Sequence, residues 1–339
     1  MSTSVFVSGA TGFIAQHIIK FLLTKGYNVV GSVRSAAKGD HVKKLFASDA
    51  FTYEIVSDIV APGAFDQALK NHPEVTVFLH TASPVTFNVT DIEAELLKPA
   101  VEGTKNVLQA IKVYGPQIKN VVVTSSVVAM FDYFKLKDAS FTVSEASWNP
   151  ITWEQSKQNP FFGYFGSKKF AEKAVWDFIE QENPTYTVNF INPGYVFGPQ
   201  AFDSEVKQEL NSSSEIINNL LKLSPDSDVP EVVGPFIDVR DVAKAHLAAF
   251  ENALSKERLL LYSEIFTAPR LIGILAENFD SLKGQLPVGK EAASNAEGSA
   301  FDNTNTKQLL AFPFIDLKTS VVDSVAQILK AKGKASHGQ

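Results

Sequence analysis

Residues 4–15 read SVFVSGATGFIA. A strand-length apolar run is followed by two glycines, and a helical apolar pattern, QHIIKFLLTKG, continues from there. In that order, Gly9 permits a tight turn and Gly12 lets the backbone approach a pyrophosphate. Ala15 keeps the helix close to the strand, and phosphates can rest on the amides of the helix start. Ala10, Thr11, Phe13 and Ile14 belong to the same candidate contact. Elsewhere such glycines could be a merely structural turn. Here they open a strand–helix–strand unit, and dinucleotide binding is the expectation.

Working outward, further short apolar runs stand at 28–33, 51–56, 75–80, 120–125 and 186–192, with helical patterns between most of them. This alternation indicates an α/β fold, a Rossmann-type doubly wound parallel sheet. Pro99 lies inside the long pattern 91–115 and is expected to kink it. After residue 193 the rhythm changes. The expected organisation is a dinucleotide-binding domain over 1–193, its sheet completed by parts of 236–265, including a strand in RLLLYS (258–263). A smaller, mainly substrate-binding C-terminal lobe is expected over 194–330, and a disordered tail over 331–339. Residues 131–160 form a connection long enough to suggest a lid.

The 339 residues are 45% apolar and carry a net charge of −6 with both signs mixed. A packed core is expected, and neither a nucleic-acid footprint nor a polybasic membrane face. No run approaches the ~20 apolar residues of a membrane span. The first ten residues lack the apolar region of a signal peptide, and there are no cysteines. A cytoplasmic location in a reducing compartment fits both. The absence of cysteine excludes disulfides, thiolate metal sites and cysteine nucleophiles. The six histidines form no metal pattern, and no metal is expected.

The strand ends carry the remaining candidates. Arg34 ends the second strand, with Lys38 just beyond. An acid there would bind a ribose hydroxyl, whereas arginine suits the 2′-phosphate of NADPH. Asp58 and Ile59 follow the third strand and are open to two readings, an adenine contact or an ordinary turn. Thr81, Ala82 and Ser83 are small residues that leave room for a ligand at the end of the fourth strand. His80 before them reads as a core histidine. The fifth strand ends in Thr124-Ser125-Ser126, one serine suited to a substrate carbonyl and the other to capping. Tyr164 and Lys168 share one helix face in FFGYFGSKKFAEKAV, the arrangement of a proton donor beside a cation.

Gly9/Gly12/Ala15, Ser126 and Tyr164/Lys168 in this order resemble the extended short-chain dehydrogenase/reductases. Ser126 aligns as the last hydroxyl before an apolar run, and Ala15 replaces the third glycine of the plainest fingerprint. SGATGFIAQHI, HTASP, SWNP, GSKKFAEKA, YVFGPQ and IDVRDVAKAH are most similar to the yeast NADPH-dependent methylglyoxal and aldehyde/ketone reductases, which are close to plant dihydroflavonol reductases. The resemblance spans nearly the whole chain. It implies that Tyr164 donates a proton to a carbonyl oxygen as hydride arrives, that Lys168 lowers the phenol pKa and holds the nicotinamide ribose, and that Ser126 orients the carbonyl. It implies cofactor contacts at Pro193, Val196 and Ser213, with Val196 on the nicotinamide side and Ser213 on the phosphate side. Asn106 is left between a relay and a structural role.

Phe87, Val128, Phe131, Phe134, Gly194 and Tyr195 are the candidate pocket walls, with Phe197 and Phe236 weighed beside them. Gly194 is expected to widen the space. No arginine or lysine stands between Val128 and Lys135 to grip an acid. The expected substrate is a neutral aldehyde, ketone or keto ester, handled by a monomer or homodimer. A nucleotide-sugar epimerase or dehydratase, or a catalytically silent NADPH sensor, are the competing readings. Arg34 weighs against the first, and the retention of all three candidate catalytic residues against the second.

Overall fold

The computed structural model describes residues 3–83, 88–135, 138–289 and 300–336. The first elements are β1 (Ser4–Ser8), α1 (Phe13–Thr24), β2 (Asn28–Val33), α2 (Ala36–Phe46), β3 (Phe51–Ile55), α3 (Asp66–Asn71) and β4 (Val75–His80). They are followed by α4 (Lys98–Tyr114), β5 (Asn120–Thr124), β6 (Thr142–Val143), α5 (Trp153–Ser156), α6 (Pro160–Glu182) and β7 (Thr187–Pro193). Next come β8 (Tyr195–Phe197), α7 (Ser212–Leu220), β9 (Val233–Asp238), α8 (Val239–Glu251), β10 (Arg258–Leu261) and β11 (Glu264–Thr267). The chain closes with α9 (Ala268–Asn278), β12 (Ala300–Phe301), α10 (Thr304–Leu310) and α11 (Leu317–Ser336).

Seven strands form one sheet in the order β10-β7-β5-β4-β1-β2-β3. Every pairing in it is parallel. The chain starts in the middle, runs outward through β2 and β3, and returns to β4 on the other side of β1. The connections therefore part at the β1/β4 boundary, and a crevice opens at the carboxyl ends of these strands. Strand residues alternate between two cores, as a pleat requires. Val5 and Val7 pack with Ile18 and Leu22 of α1 and with Val242 and Leu247 of α8. Phe6 faces the other way and packs with Phe78, Leu108 and Phe190. Burial on both faces explains why the strands read as continuous apolar runs.

After β7 the chain builds a second sheet, β11-β9-β8. Its core joins Phe197, Phe236 and Phe266 to Leu271, Leu275 and Val321 of α9 and α11. Phe197 and Phe236 are thus fully buried core residues rather than pocket walls. Of RLLLYS, Arg258–Leu261 is the strand that closes the edge of the large sheet.

Two local expectations take a different form. Residues Glu93–Leu97 wind as a π-type turn and Pro99 stands at the start of α4. Proline has no N–H to donate to the preceding turn, so the expected kink appears as a loosened turn before it. The expected disordered tail is helical through residue 336, because α11 continues to Ser336; residues 337–339 lie outside the described residues. Among the described residues no helix is long and apolar enough to cross a membrane.

Candidate active site

The β1–α1 turn is built around Gly9, whose φ is +74°. A Cβ there would stand 3.1 Å from the Cα of Ala82. Glycine is required on both counts. The Gly12 N–H donates to the Gly9 carbonyl at 2.9 Å, and Gly12 then caps α1. No side chain caps that end and no acid stands in its first turn. The amides of Phe13 and Ile14 therefore open the helix free of a side-chain cap, as a phosphate site demands, while the Glu205 carboxylate accepts from Gln16 of α1 at 3.3 Å and pairs with His41 of α2 at 2.8 Å. Buried Ala15 lets α1 lie on the sheet.

Neighbouring strands hold this turn. The N–H groups of Gly9 and Ala10 donate to the Oγ (3.0 Å) and carbonyl (2.9 Å) of Ser32 on β2. The Ser8 Oγ accepts from the N–H groups of Thr81 and Ala82, each at 3.0 Å, and is 2.9 Å from Nδ1 of His80. Thr81 also donates through its hydroxyl to the Ser8 carbonyl. Ser83 follows, partly exposed. His80 is buried in this network and pushed down to about 4 by desolvation, with the nearby Lys168 charge adding to the shift. It is a neutral core histidine. The carbonyl of Thr11 accepts from Gln16 at 3.2 Å.

Arg34 and Lys38 lie exposed at the end of β2 and the start of α2, neither in an ion pair among the described residues, and no acid stands in the first turn of α2. The Ser35 hydroxyl caps that helix by accepting from Lys38 N–H. The donor set fits a dinucleotide bearing an extra phosphate: amides at a helix start, and two cations where the adenosine ribose would lie. Asp58 accepts from Val60 N–H at 2.9 Å, an ordinary turn contact. Ile59 packs against Gly103 on α4. The Asn106 amide donates to the carbonyls of Ile59, Val60 and Ala61 at 2.9 to 3.0 Å. That side chain anchors a loop, which favours the structural role over the relay.

Ser126 and Tyr164 come together at the carboxyl ends of β5 and β7, with buried Lys168 one helical turn beyond Tyr164 and near His80. Ser126 begins a short 3-10 turn, Val127–Ala129, and its Oγ accepts from Val128 N–H at 3.3 Å. The same hydroxyl lies 3.5 Å from the carbonyl of Pro193. Asn159 caps α6 by accepting from Phe162 N–H at 2.8 Å, with Pro160 in the first turn. This start places Tyr164 beside Ser126 and Lys168 one turn further along the helix. Burial raises the Tyr164 pKa, a hydrogen bond with Ser126 lowers it, and Tyr195 raises it further. Lys168 is buried and brought down to about 8 by desolvation. Lys168 is not among the groups that set the phenol pKa here, so its expected depression of that pKa does not arise from these protein groups alone.

In front of these residues lies a cavity of about 250 Å³. Val128, Phe131, Gly194 and Tyr195 line it as expected, together with Ser126 and Tyr164. Ser213, expected near the phosphates, lines it as well. Val196, the middle residue of β8 and expected on the nicotinamide side, is buried in the core with Val7 and Ile191 and does not line the cavity. Phe134 is a correction: it is 63% exposed and leans on Phe162 and Tyr133 without lining the cavity. Gly194 is another. A Cβ there would sit 2.2 Å from the carbonyl oxygen of Pro235, so the glycine serves the close β8–β9 approach rather than widening the pocket. Phe87 lies outside the described residues. The sequence reading missed Tyr133, Phe161, Phe165, Val233 and Phe301. Phe161 and Phe165 flank Tyr164 on α6, a visible signal. Phe301 stacks on Phe131 at 6.0 Å from far along the chain, and no local pattern announces it. No charged side chain lines the cavity among the described residues.

Residues 5–261 match the NAD dependent epimerase/dehydratase family. The chain belongs to that family. Within it, GRP2 of Candida albicans is 57% identical over 337 residues, which cover 97% of this chain and 99% of that protein. The NADPH-dependent methylglyoxal reductase GRE2 of Saccharomyces cerevisiae is 47% identical over 340 residues, covering 98% and 99%. The crystal structure of Candida albicans Gre2 in complex with NADPH superimposes with a TM-score of 0.95 at 52% identity, covering 97% of this chain and 99% of that one. The fold of this family member is therefore that of the Gre2 structures.

Proposed function

We propose that this family member is an NADPH-dependent carbonyl reductase acting on neutral aldehydes, ketones and keto esters. One observation carries the reading: Ser126 and Tyr164 share the wall of an uncharged cavity, the serine hydroxyl near enough to lower the phenol pKa, one helical turn from buried Lys168. The coenzyme and the substrate type are those in the name of GRE2, a relative matched over nearly its whole length.

The α1 amides would hold NADPH, with Arg34 and Lys38 at its 2′-phosphate, and the bound coenzyme would supply the hydride that the carbonyl carbon takes up. Ser126 and Tyr164 receive the carbonyl oxygen, and their two hydroxyls polarise it as negative charge develops. Tyr164 passes its proton to that oxygen. An unassisted phenol, with a pKa of about 10, is poorly matched to neutral pH; among the protein groups the Ser126 hydrogen bond lowers the Tyr164 pKa, and the assistance assigned to Lys168, one turn away, would come only with the coenzyme bound. The apolar walls admit the organic part of the substrate and keep out water. A sugar diphosphate would need cations that this cavity does not present among its described lining, which disfavours an epimerase or dehydratase activity. The absence of cysteine suits work in a reducing cytosol, by a monomer or homodimer with residues after 193 supplying much of the substrate side.

The test is a panel of aldehydes, ketones, keto esters and keto acids, each assayed with NADPH and with NADH. Neutral carbonyl compounds with NADPH are expected to give the highest kcat/KM. Preference for charged keto acids, or for NADH, contradicts the proposal.

A further inference from the structure

Behind Ser126 lies a buried ionic network that the chemistry above does not use. Glu172 stands on α6 one turn beyond Lys168 and is 1% exposed. Its Oε1 accepts from Arg258 Nε at 2.5 Å. Its Oε2 accepts from the Ser125 hydroxyl and, at 2.8 Å, from the Asn192 amide. That same Asn192 amide donates to the Ser126 carbonyl at 3.2 Å. Arg258 reaches the other way, donating to the carbonyls of Glu145 and Ser147 at 2.8 and 2.5 Å. The adjoining Asn149 donates to the carbonyl of Val128, in the cavity wall, at 2.8 Å and to that of Ala129 behind it at 2.9 Å.

Desolvating a carboxylate and a guanidinium is costly, and apolar side chains of similar volume often serve stability as well. What this network adds is direction. It grips the backbone on both sides of the candidate catalytic serine: Ser125 through its hydroxyl, Ser126 through its carbonyl. The anchor is on the very helix that carries Tyr164 and Lys168. A shift of Ser126 relative to Tyr164 would spoil their shared grip on a carbonyl oxygen.

We infer that Glu172 and Asn192 are positioning residues that fix the Ser126 hydroxyl opposite Tyr164, and that Arg258 ties this anchor to the cavity wall. The inference rests on the carbonyl-reductase reading. Asn192→Ala keeps the Glu172–Arg258 pair and removes the link to Ser126. It is expected to lower kcat by about tenfold, with KM and NADPH affinity within about twofold of the parent. In a Ser126→Ala background the same substitution is expected to cost little further, because both act through one hydroxyl. Ser125→Ala, which also spares the ion pair, carries the same cycle where Asn192→Ala fails to fold. Equal loss of kcat in both backgrounds, or a lowered Tm with kcat unchanged, overturns the inference. Unchanged kcat in Ser126→Ala alone overturns the catalytic reading itself.

Discussion

Burial of Lys168 brings its pKa to about 8 from an ordinary 10.5. Between these two values the folded lysine binds fewer protons than the unfolded one. This group's contribution to stability therefore rises with pH across that window, and its burial penalty is fully present below pH 8. Activity should run the opposite way, because the mechanism proposed above uses the charged form. The kcat/KM for NADPH, which reports the free protein, is expected to fall as pH rises through about 8. A flat profile to pH 10 would remove the charged lysine from the mechanism. Arg34 offers a separate residue-scale test. Arg34→Asp turns the proposed phosphate partner into a repelling charge and should weaken NADPH binding about 10- to 100-fold more than NADH binding. Equal losses in a titration with both coenzymes would make Arg34 merely structural.

At the scale of elements, α6 is positioned by what its glycines lack. A Cβ on Gly166 would stand 2.1 Å from Ser156 Oγ and 3.1 Å from Leu97, and Ser156 is fully buried. Alanine gains about 1 kcal/mol over glycine in a helix interior, but overpacking typically costs about 1–3 kcal/mol. Gly166→Ala is therefore expected to lower Tm and to reduce kcat through the displaced Tyr164; a raised Tm contradicts this packing. The Tyr164–Lys168 spacing was legible because helix periodicity is local. Continuing the same spacing one turn reaches Glu172, but its carboxylate gains meaning only from Ser125, Asn192 and Arg258 on three other segments. Gly194 was legible as a glycine and not as a β8–β9 contact, since Pro235 meets it only through the fold.

Across the whole molecule, the large sheet could be read because its strands are buried on both faces and alternate with helices. The second sheet could not. β8 has 3 residues and its partner β9 lies after α7, so the pairing depends on tertiary contact. The cavity inherits that limit: its Phe131 wall was visible beside β5, while Phe301 arrives through β12 pairing with β6. Glu172 and Arg258 knit these segments together. Arg258→Met would strand a buried carboxylate and is expected to cost about 3–5 kcal/mol in urea unfolding; a loss below about 1 kcal/mol would mean that Glu172 finds another partner or a proton.

The central claim is that Tyr164 gives the proton that completes carbonyl reduction. Its most direct measurement is NADPH oxidation by Tyr164→Phe with a branched aldehyde, paired with NADPH titration of the same protein. NADPH affinity is expected to stay within about twofold of the parent and kcat to fall by about 10²- to 10⁴-fold. Turnover near that of the parent, with NADPH bound normally, would contradict it.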